Sequence, residues 1–226
     1  MAGAAFFDLD RTLISRSSSL SLAPAFHRRG LLRRRDRAKA AFAQVIFMRY
    51  GAGASRVGQT ADSAMVFLKG VQVEVMREIV EEALDSALTP HVYRDALDLV
   101  ARHRERGEPA LIVSAALQEI VDALVAELGL DGGVGSTAEV EDGVYTGRLL
   151  RRLDGRRKAE TLVELASLRD IDLRESTAYS DSASDVPFLE AVGHPVAVNP
   201  DRKLRGIAAE RSWRVLRFST KAFPTP

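Results

Sequence analysis

The chain has 226 residues, of which 46% are hydrophobic and 28% charged, a composition that supports a packed core and excludes a mainly disordered protein. Lys and Arg number 32 against 31 Asp and Glu, so the net charge of +1 provides no global field for nucleic acid, and we expect no nucleic-acid partner. The lack of cysteine excludes a disulfide framework and a thiol nucleophile and suits the reducing cytoplasm, where we expect the protein to be located.

Short apolar runs predict buried strands, and they cover residues 4–7, 110–113, 177–179 and 195–198. These runs are continuous rather than alternating, which is typical of parallel strands covered on both faces. Helical periodicity covers residues 92–106, 118–128, 158–168 and 184–192. The Asp142-Gly143 pair indicates the turn of a β-hairpin over residues 140–149. Strands that alternate with helices predict an α/β fold with a doubly wound parallel sheet.

The segment before the second strand breaks this alternation. Its patterns are helical throughout and cover residues 17–28, 31–50, 59–68 and 71–88. We therefore predict an α/β core formed by residues 1–14 and 89–226, with an all-helical insertion at residues 15–88.

Carboxylates follow two of the predicted strands. Asp8 and Asp10 come directly after the first run, and residues two apart on an extended segment share a face. Asp181 and Asp185 follow the third run, four residues apart. Because the carboxyl ends of parallel strands meet at one edge of the sheet, we expect the four side chains to converge. Such a cluster needs a cation, and Mg²⁺ is the hard ion that oxygen ligands favour.

An ordered set of motifs spans the predicted core: Asp8-x-Asp10-x-Thr12, Ser114 after a strand, Lys158 at the start of a helix, and Asp181-x-x-x-Asp185. This set resembles the haloacid dehalogenase (HAD) superfamily of phosphohydrolases. The helical insertion resembles subfamily IB, whose members carry a small helical cap of type C1 and include phosphoserine phosphatase-like enzymes. The resemblance implies a Rossmann-like core with an inserted α-helical cap and Mg²⁺-dependent hydrolysis of a small phosphomonoester through an aspartyl-phosphate.

The resemblance also implies a role for each motif residue. Asp8 would attack phosphorus, Asp10 would act as general acid and then general base, and Lys158 would offset charge on the nucleophile and the phosphate. The substrate-binding residues that it implies are Thr12, Ser114, Ala115 and Ser184. The metal-ligating residues that it implies are Asp8, Asp10 through its carbonyl, Asp181, and Asp185 directly or through water.

Three departures from the phosphoserine phosphatase pattern bear on the substrate. Those enzymes typically carry a Glu nine residues after the nucleophile to meet the substrate ammonium, and this chain has Ser17 there. They also usually show Ser-Gly-Gly and an Asn before the last Asp, where this chain has Ser114-Ala115-Ala116 and Ser184. Phosphoserine itself is therefore not the expected substrate, and the sequence leaves the leaving group, the pathway and the oligomeric state open.

Two alternatives to a hydrolase remain. A phosphotransferase would use the same residues and pass the phosphoryl group to an acceptor other than water. A non-catalytic regulatory or binding module could keep the fold, but a binder has no need for the unpaired carboxylates of Asp8 and Asp10 beside a phosphate.

The segment Arg28–Arg37 is strongly basic. It contains six arginines in ten residues, at positions 28, 29, 33, 34, 35 and 37. We interpret it as a solvated helix face. The alternative is contact with an anionic substrate tail or a membrane surface, because apolar residues follow the cluster. A transmembrane segment is not predicted, since no apolar run reaches the ~20 residues that a bilayer span needs.

Overall fold

The structure is a computed structural model that describes residues 2–31, 65 and 68–223. Within these residues one sheet has the strands β1 (Ala5–Phe7), β2 (Ala110–Leu117), β3 (Gly132–Glu141), β4 (Val144–Arg151), β5 (Thr177–Ser180), β6 (His194–Val198) and β7 (Arg214–Leu216). Their order is β4-β3-β2-β1-β5-β6-β7, and neighbouring strands are parallel except for the antiparallel pair β3 and β4. The predicted doubly wound α/β class is confirmed.

Helices cover both faces of this sheet. They are α1 (Ser18–Arg28), α2 (Val73–Ala83), α3 (Arg94–Glu105), α4 (Gln118–Leu128), α5 (Gly155–Arg169), α6 (Val186–Glu190) and α7 (Arg202–Glu210). Phe7 of β1 belongs to a core shared with α1 to α4, whereas the adjacent Phe6 belongs to a second core shared with α5 to α7. Because side chains alternate along a strand, β1, β2, β5 and β6 each contribute to both cores, which explains their continuous apolar runs.

The register of the central strands determines where the motif residues lie. Phe7 is paired with Ile112 on one side and with Tyr179 on the other. Asp8 therefore lies one residue beyond these pairs, at the carboxyl edge of the sheet. Ser114 lies two residues beyond Ile112, and Asp181 lies two residues beyond Tyr179, at the same edge.

The described part of residues 15–88 is mainly helical. It contains α1, α2 and a π-helical turn at Leu84–Leu88. The segments that enter and leave it are paired, since the Ser15 N–H donates to the His91 carbonyl at 2.8 Å. The predicted helices over 31–50 and 59–68 fall on residues that lie outside the described ones, apart from Leu31, Met65 and Leu68. The division into a core and a cap stays a prediction.

The β-hairpin predicted over residues 140–149 is confirmed and is longer than expected, because β3 and β4 continue on both sides of the turn. It also contacts the helical insertion. The Tyr145 N–H donates to the Val71 carbonyl at 2.9 Å, and the Gly70 N–H donates to the Tyr145 carbonyl at the same distance. The hairpin therefore supports the segment that leads from the insertion into α2.

The prediction of one continuous helix over residues 184–192 is wrong. A 3₁₀ turn at Ala183–Asp185 precedes α6, which ends at Glu190. The Ser182 side chain accepts the Ser184 N–H, which begins a separate turn. Pro187 then occupies the start of α6, where its missing N–H leaves no bond unmade.

Residues 199–218 received no element in the sequence analysis, yet α7 and β7 form there. Only Leu204 and Ala208 of α7 are buried, so its apolar stripe is narrow. A strand of three residues such as β7 is too short to show a period. No helix among the described residues has the length and apolar character that a membrane span requires.

Candidate active site

Asp8 lies at the centre of the carboxyl edge, directly after β1. Its N–H donates to the Tyr179 carbonyl at 2.9 Å, which joins the end of β1 to β5. The residue is only 5% exposed. Burial raises the pKa of Asp8 to about 6, with a contribution from the charge of Asp185, although Lys158 opposes the shift.

Lys158 forms an ion-pair bridge between two motifs. Its Nζ donates to Asp8 Oδ1 at 2.6 Å and to Asp185 Oδ2 at 2.7 Å. The Ser180 hydroxyl donates to the same Asp185 oxygen at 2.8 Å. Burial lowers the pKa of Lys158, but the charges of Asp185 and Asp8 outweigh it and raise that pKa above its ordinary value. Asp185 therefore holds a charged ammonium against the carboxylate of Asp8.

The first residue of α5 allows this bridge to form. Gly155 lies against the loop before α6, and an ideal Cβ on it would stand 2.6 Å from the Ser184 carbonyl oxygen. No real Cβ tolerates so close a contact with backbone, so any larger residue must displace the start of α5. Because Lys158 lies in the first turn of α5, this displacement changes its distance to Asp8.

We therefore expect Gly155→Ala to lower the free energy of unfolding by about 1–3 kcal/mol, the usual cost of overpacking, and to lower kcat. The matched control is Gly206→Ala in α7, where nothing lies within 4 Å of the added Cβ. That change should raise the free energy of unfolding by about 0.4–1 kcal/mol. Urea denaturation and steady-state kinetics measure both effects, and equal stability of the two variants would contradict the close-approach argument.

Asp181 follows β5 and is paired with a cation. Arg11 Nε lies 3.1 Å from Asp181 Oδ2. Burial raises the pKa of Asp181 well above its ordinary value, Arg11 opposes the shift, and the charges of Asp8 and Asp185 add to it. Arg11 has a φ of 63°, a left-handed conformation that is uncommon for a residue with a side chain.

Asp10 contacts the start of the helical insertion. Its Oδ1 accepts the Ser18 N–H at 2.9 Å, at the first residue of α1. Burial raises the pKa of Asp10, and the hydrogen bonds from Ser18 and Ser17 moderate the increase. The orientation of the Asp10 carboxylate therefore depends on the position of the insertion.

The strand after Val113 is irregular at the predicted Ser114 motif. The Ser114 hydroxyl oxygen accepts the Ala116 N–H at 3.1 Å, and the pairing of β2 with β3 shifts register between Val113 and Leu117. The Ser114 side chain thus competes with the ladder for a backbone donor. Ala115 is exposed at this bend, and its carbonyl accepts the hydroxyl of Ser136 at 2.8 Å.

The other two predicted substrate-binding residues differ in exposure. Thr12 is fully buried, and its hydroxyl finds no hydrogen-bond partner in the part of the chain that the structure describes. Ser184 is exposed and its hydroxyl lies 2.9 Å from that of Ser182. Substrate binding by either residue stays a prediction.

Asp8 and Asp181 are the carboxylates best suited to a metal ion. No three Asp, Glu, His or Cys side chains among residues 2–31, 65 and 68–223 form a metal-binding group. Mg²⁺, however, is usually bound through one or two carboxylates plus substrate oxygens and water. Both residues are buried, the charge of Asp8 raises the pKa of Asp181, and the Arg11 guanidinium shows that Asp181 accepts a cation. This donor set fits a hard divalent cation.

The other two predicted ligands have different contacts. The Asp10 carboxylate accepts the Ser18 N–H, which leaves its backbone carbonyl as the predicted metal ligand. One oxygen of Asp185 accepts from both Lys158 and Ser180, which favours a role in holding the lysine. Metal ligation by these two residues stays a prediction.

The sequence analysis missed three partners of the carboxylates: Arg11, Ser180 and the N–H of Ser18. Arg11 stands between two motif residues, but its pairing with Asp181 depends on a left-handed conformation that the spacing does not predict. Ser180 immediately precedes Asp181 at the end of a predicted strand, but nothing in the local sequence indicates that its hydroxyl contacts Asp185. The Ser18 contact depends on how α1 is oriented and has no signal in the local sequence.

Burial of Asp8 predicts a pH dependence of stability in the metal-free protein. The folded pKa of about 6 exceeds the ordinary value of 3.8, so the folded state binds more protons between these values. The contribution of Asp8 to the free energy of unfolding is therefore fully present below pH 3.8. About 3 kcal/mol of this stability is lost as the pH rises through about 6. Denaturation of wild type and Asp8→Asn from pH 4 to 8 measures it, and identical pH profiles would contradict the burial argument.

The family is decided by comparison with known proteins. A family model of haloacid dehalogenase-like hydrolases matches residues 5–190. The chain belongs to this family. The matched range includes every predicted site residue of the HAD motifs, from Asp8 to Asp185.

Relatives and solved structures agree with this HAD assignment. A probable phosphatase, Rv3661 of Mycobacterium tuberculosis, is 42% identical over 216 residues, which cover 96% of this chain and 75% of that protein. A Bordetella pertussis protein of unknown function has a TM-score of 0.83 at 27% identity, with 96% and 98% of the two chains covered. A phosphoserine phosphatase structure described as a phospho-aspartyl intermediate analogue has a TM-score of 0.70 at 19% identity, covering 97% and 95%. The predicted enzyme class, a HAD phosphatase with phosphoserine phosphatase-like architecture, is confirmed.

The basic segment Arg28–Arg37 of this HAD phosphatase is described only at its first two arginines. Arg28 is exposed. Arg29 pairs with Glu82 and, at 3.5 Å, with Glu78, both on α2. The arginines at 33, 34, 35 and 37 lie outside the described residues. Arg29 thus agrees with the solvated-face interpretation, and the alternative of membrane or substrate contact stays untested for the others.

Proposed function

We propose that the protein hydrolyses a small phosphomonoester with Mg²⁺ through a phosphoryl intermediate on Asp8. The observation that carries this proposal is the buried bridge from Asp8 through Lys158 to Asp185. A structural ion pair would have no need of a second carboxylate on the same ammonium at the carboxyl edge of the sheet, where α/β proteins bind ligands. The similar structure that is described as a phospho-aspartyl intermediate analogue supports the proposal.

In the first half of the reaction, an oxygen of the Asp8 carboxylate attacks phosphorus and the bond from phosphorus to the ester oxygen breaks. Lys158 keeps its ammonium against Asp8, and Asp185 holds that ammonium in place. As negative charge moves onto the phosphoryl oxygens, the fixed ammonium stabilises it without reorganisation. Asp8, Asp181 and the Asp10 carbonyl would hold Mg²⁺, which would further neutralise the phosphoryl charge when bound.

Asp10 moves the protons of both half-reactions. It first donates a proton to the leaving alkoxide, which departs as an alcohol. A water molecule then attacks the phosphoryl group and Asp10 accepts its proton. The bond from phosphorus to the Asp8 oxygen breaks, which restores the Asp8 carboxylate and releases inorganic phosphate. A carboxyl group suits this double role only if its pKa is raised, and burial raises the pKa of Asp10.

Ser114 is suited to hold a phosphoryl oxygen. Its hydroxyl oxygen accepts the Ala116 N–H, which fixes the direction of the hydroxyl. The hydroxyl proton finds no acceptor among the described residues and can be donated to a phosphoryl oxygen. The side chain is only 2% exposed, so this bond would form away from bulk water.

A screen of phosphate release from a panel of metabolite phosphates, with Mg²⁺ or with EDTA, tests the proposal. We expect hydrolysis of at least one small phosphomonoester that EDTA abolishes. Asp181→Asn should raise the half-saturating Mg²⁺ concentration by more than about 10-fold, because even outer partners of metal ligands cost that much. Asp172→Asn, whose side chain bonds the backbone of Arg174 away from the site, is the matched control. Activity unaffected by EDTA and by Asp181→Asn would contradict the metal assignment.

The same screen separates the hydrolase from a phosphotransferase. Phosphate release equal to alcohol release indicates transfer to water. Alcohol release that exceeds phosphate release when an acceptor alcohol is added indicates transfer to that acceptor. We expect phosphoserine to be a poor substrate, because α1 has no acidic residue in its first turn to meet an ammonium group.

A further inference from the structure

A cavity of about 210 Å³ lies at the carboxyl edge of the sheet, beyond the site described above. It is lined by Asn199, Pro200, Arg205, Val215 and Arg217. The volume is far above the roughly 10–15 Å³ that one water molecule needs. None of the lining residues is acidic, and two of them are the exposed arginines Arg205 and Arg217.

Local hydrogen bonds fix the backbone that carries Arg217. The Asn199 N–H donates to the Leu216 carbonyl at 2.9 Å, so the residue before Arg217 is held. The Asn199 side chain donates to the Phe218 carbonyl at 3.1 Å and accepts the Phe218 N–H at 3.0 Å, so the residue after it is held as well. Asn199 has a φ of 43°, a conformation that asparagine tolerates better than most residues. The wall of the cavity is therefore formed before any ligand binds.

The two arginines have few partners of their own. Arg205 donates to the Pro200 carbonyl at 3.2 Å, which turns its guanidinium toward the cavity wall and leaves most of its five N–H donors uncommitted. Arg217 forms no ion pair or hydrogen bond with its side chain in the described part of the chain. The nearby Asp201 forms no ion pair with either arginine in the described part of the chain, and its two oxygens accept the N–H groups of Leu204 and Ala183.

From these contacts we propose that the cavity is a second oxyanion site, in which Arg205 and Arg217 together bind one phosphate or carboxylate group. A planar guanidinium donates two parallel bonds to such a group, and two of them give charge neutralisation as well as direction. Two sources share this chemistry: inorganic phosphate, or an anionic group at the far end of a substrate.

The position of the cavity makes the second source feasible. The Asp201 N–H donates to the Asp181 carbonyl at 2.9 Å, which places the entrance to α7 beside the phosphoryl-transfer site. The strand β7 is three positions from β1, which leads into Asp8, a separation of about 14 Å at the usual strand spacing. A substrate of that length would reach both sites. Binding of an anionic group of the substrate rests on the proposed function, whereas binding of inorganic phosphate in the cavity does not.

The binding test follows the Nε–Hε NMR signals of the arginines during a titration with inorganic phosphate. The signals of Arg205 and Arg217 are assigned by their loss in Arg205→Gln and Arg217→Gln. We expect the signals of both arginines to shift when phosphate is added to the wild type. In each single variant, the phosphate-induced shift of the remaining arginine should be at least fivefold smaller. Arg214→Gln is the matched control, since residue 214 faces the opposite side of β7 from residue 215 and does not line the cavity. Signals that stay unmoved, or that move equally in all variants, overturn the proposal.

The kinetic test compares an alkyl phosphate that carries a terminal carboxylate about 14 Å from phosphorus, the separation expected from the strand spacing, with its alcohol-terminated analogue. If the substrate supplies the anion, Arg205→Gln and Arg217→Gln raise KM about tenfold for the carboxylate ester only. If KM is unchanged while the NMR signals shift, inorganic phosphate is the ligand. A protein that binds phosphate in the cavity yet hydrolyses no ester would refute the proposed function and leave the oxyanion site standing.

Discussion

Replacing Asp8 with asparagine is expected to lower the rate of phosphate release by about 10⁴-fold or more, the scale on which removal of a single member of a catalytic unit acts. The amide keeps the shape of the side chain, and the buried Lys158 keeps its contact with Asp185, so the fold should survive. What is lost is the only atom that attacks phosphorus, because an amide oxygen is a poor nucleophile. Phosphate release from p-nitrophenyl phosphate at saturating Mg²⁺ measures the effect.

The matched control for this variant is Asp98→Asn, which makes the same chemical change at an exposed position of α3. We expect it to leave kcat within about twofold of wild type, the usual outcome at a surface position away from the site. Circular dichroism of both variants verifies that they fold. Turnover by Asp8→Asn that approached that of Asp98→Asn would show that another group attacks phosphorus.

Replacing Lys158 with methionine is expected to lower the free energy of unfolding at pH 7 by about 3–5 kcal/mol and to abolish activity, because Asp8 and Asp185 then share a buried region without a cation. Methionine keeps most of the length and removes the charge. Urea denaturation measures the loss, and Lys203→Met, at an exposed position of α7, is the control that should stay close to wild type.

A pH series keeps this prediction testable if the variant is unfolded at pH 7. Without the ammonium the folded-state pKa of Asp8 should lie even further above its ordinary value than the about 6 of the intact protein. A raised carboxyl pKa contributes stability below the unfolded value and loses it as the pH rises. Lys158→Met should therefore recover stability between pH 7 and pH 4. A variant that matched Lys203→Met at every pH would contradict the bridge.

Much of the fold was predictable because its signal is local. The apolar runs of β1, β5 and β6 are continuous, and that pattern indicates a parallel sheet wherever helices alternate with strands. The helix at Gln118–Leu128 was predicted within its observed bounds, since Gly129 adopts the left-handed conformation that ends a helix. The strand β7 and the helix α7 were not predictable, because their few buried residues pack onto a sheet that the local sequence does not display.

The candidate site was predictable as a set of residues and not as a set of contacts. Strand order brought Asp8 and Asp185 together, the resemblance to the HAD superfamily added Lys158, and the structure places Lys158 within hydrogen-bond distance of both. The pairing of Arg11 with Asp181 depends on a left-handed turn, which no spacing rule gives. The contact of Asp10 with α1 likewise depends on the orientation of the insertion, which is a property of tertiary packing.

The attack of Asp8 on phosphorus is tested most directly by trapping the intermediate. The protein is mixed with a substrate and Mg²⁺, quenched within one turnover and reduced with borohydride, which converts an aspartyl-phosphate to homoserine. Peptide mass spectrometry then locates the product. The account predicts homoserine at position 8 in wild type and none in Asp8→Asn. Rapid phosphate release with an unmodified aspartate at position 8, or homoserine at another aspartate, would contradict it.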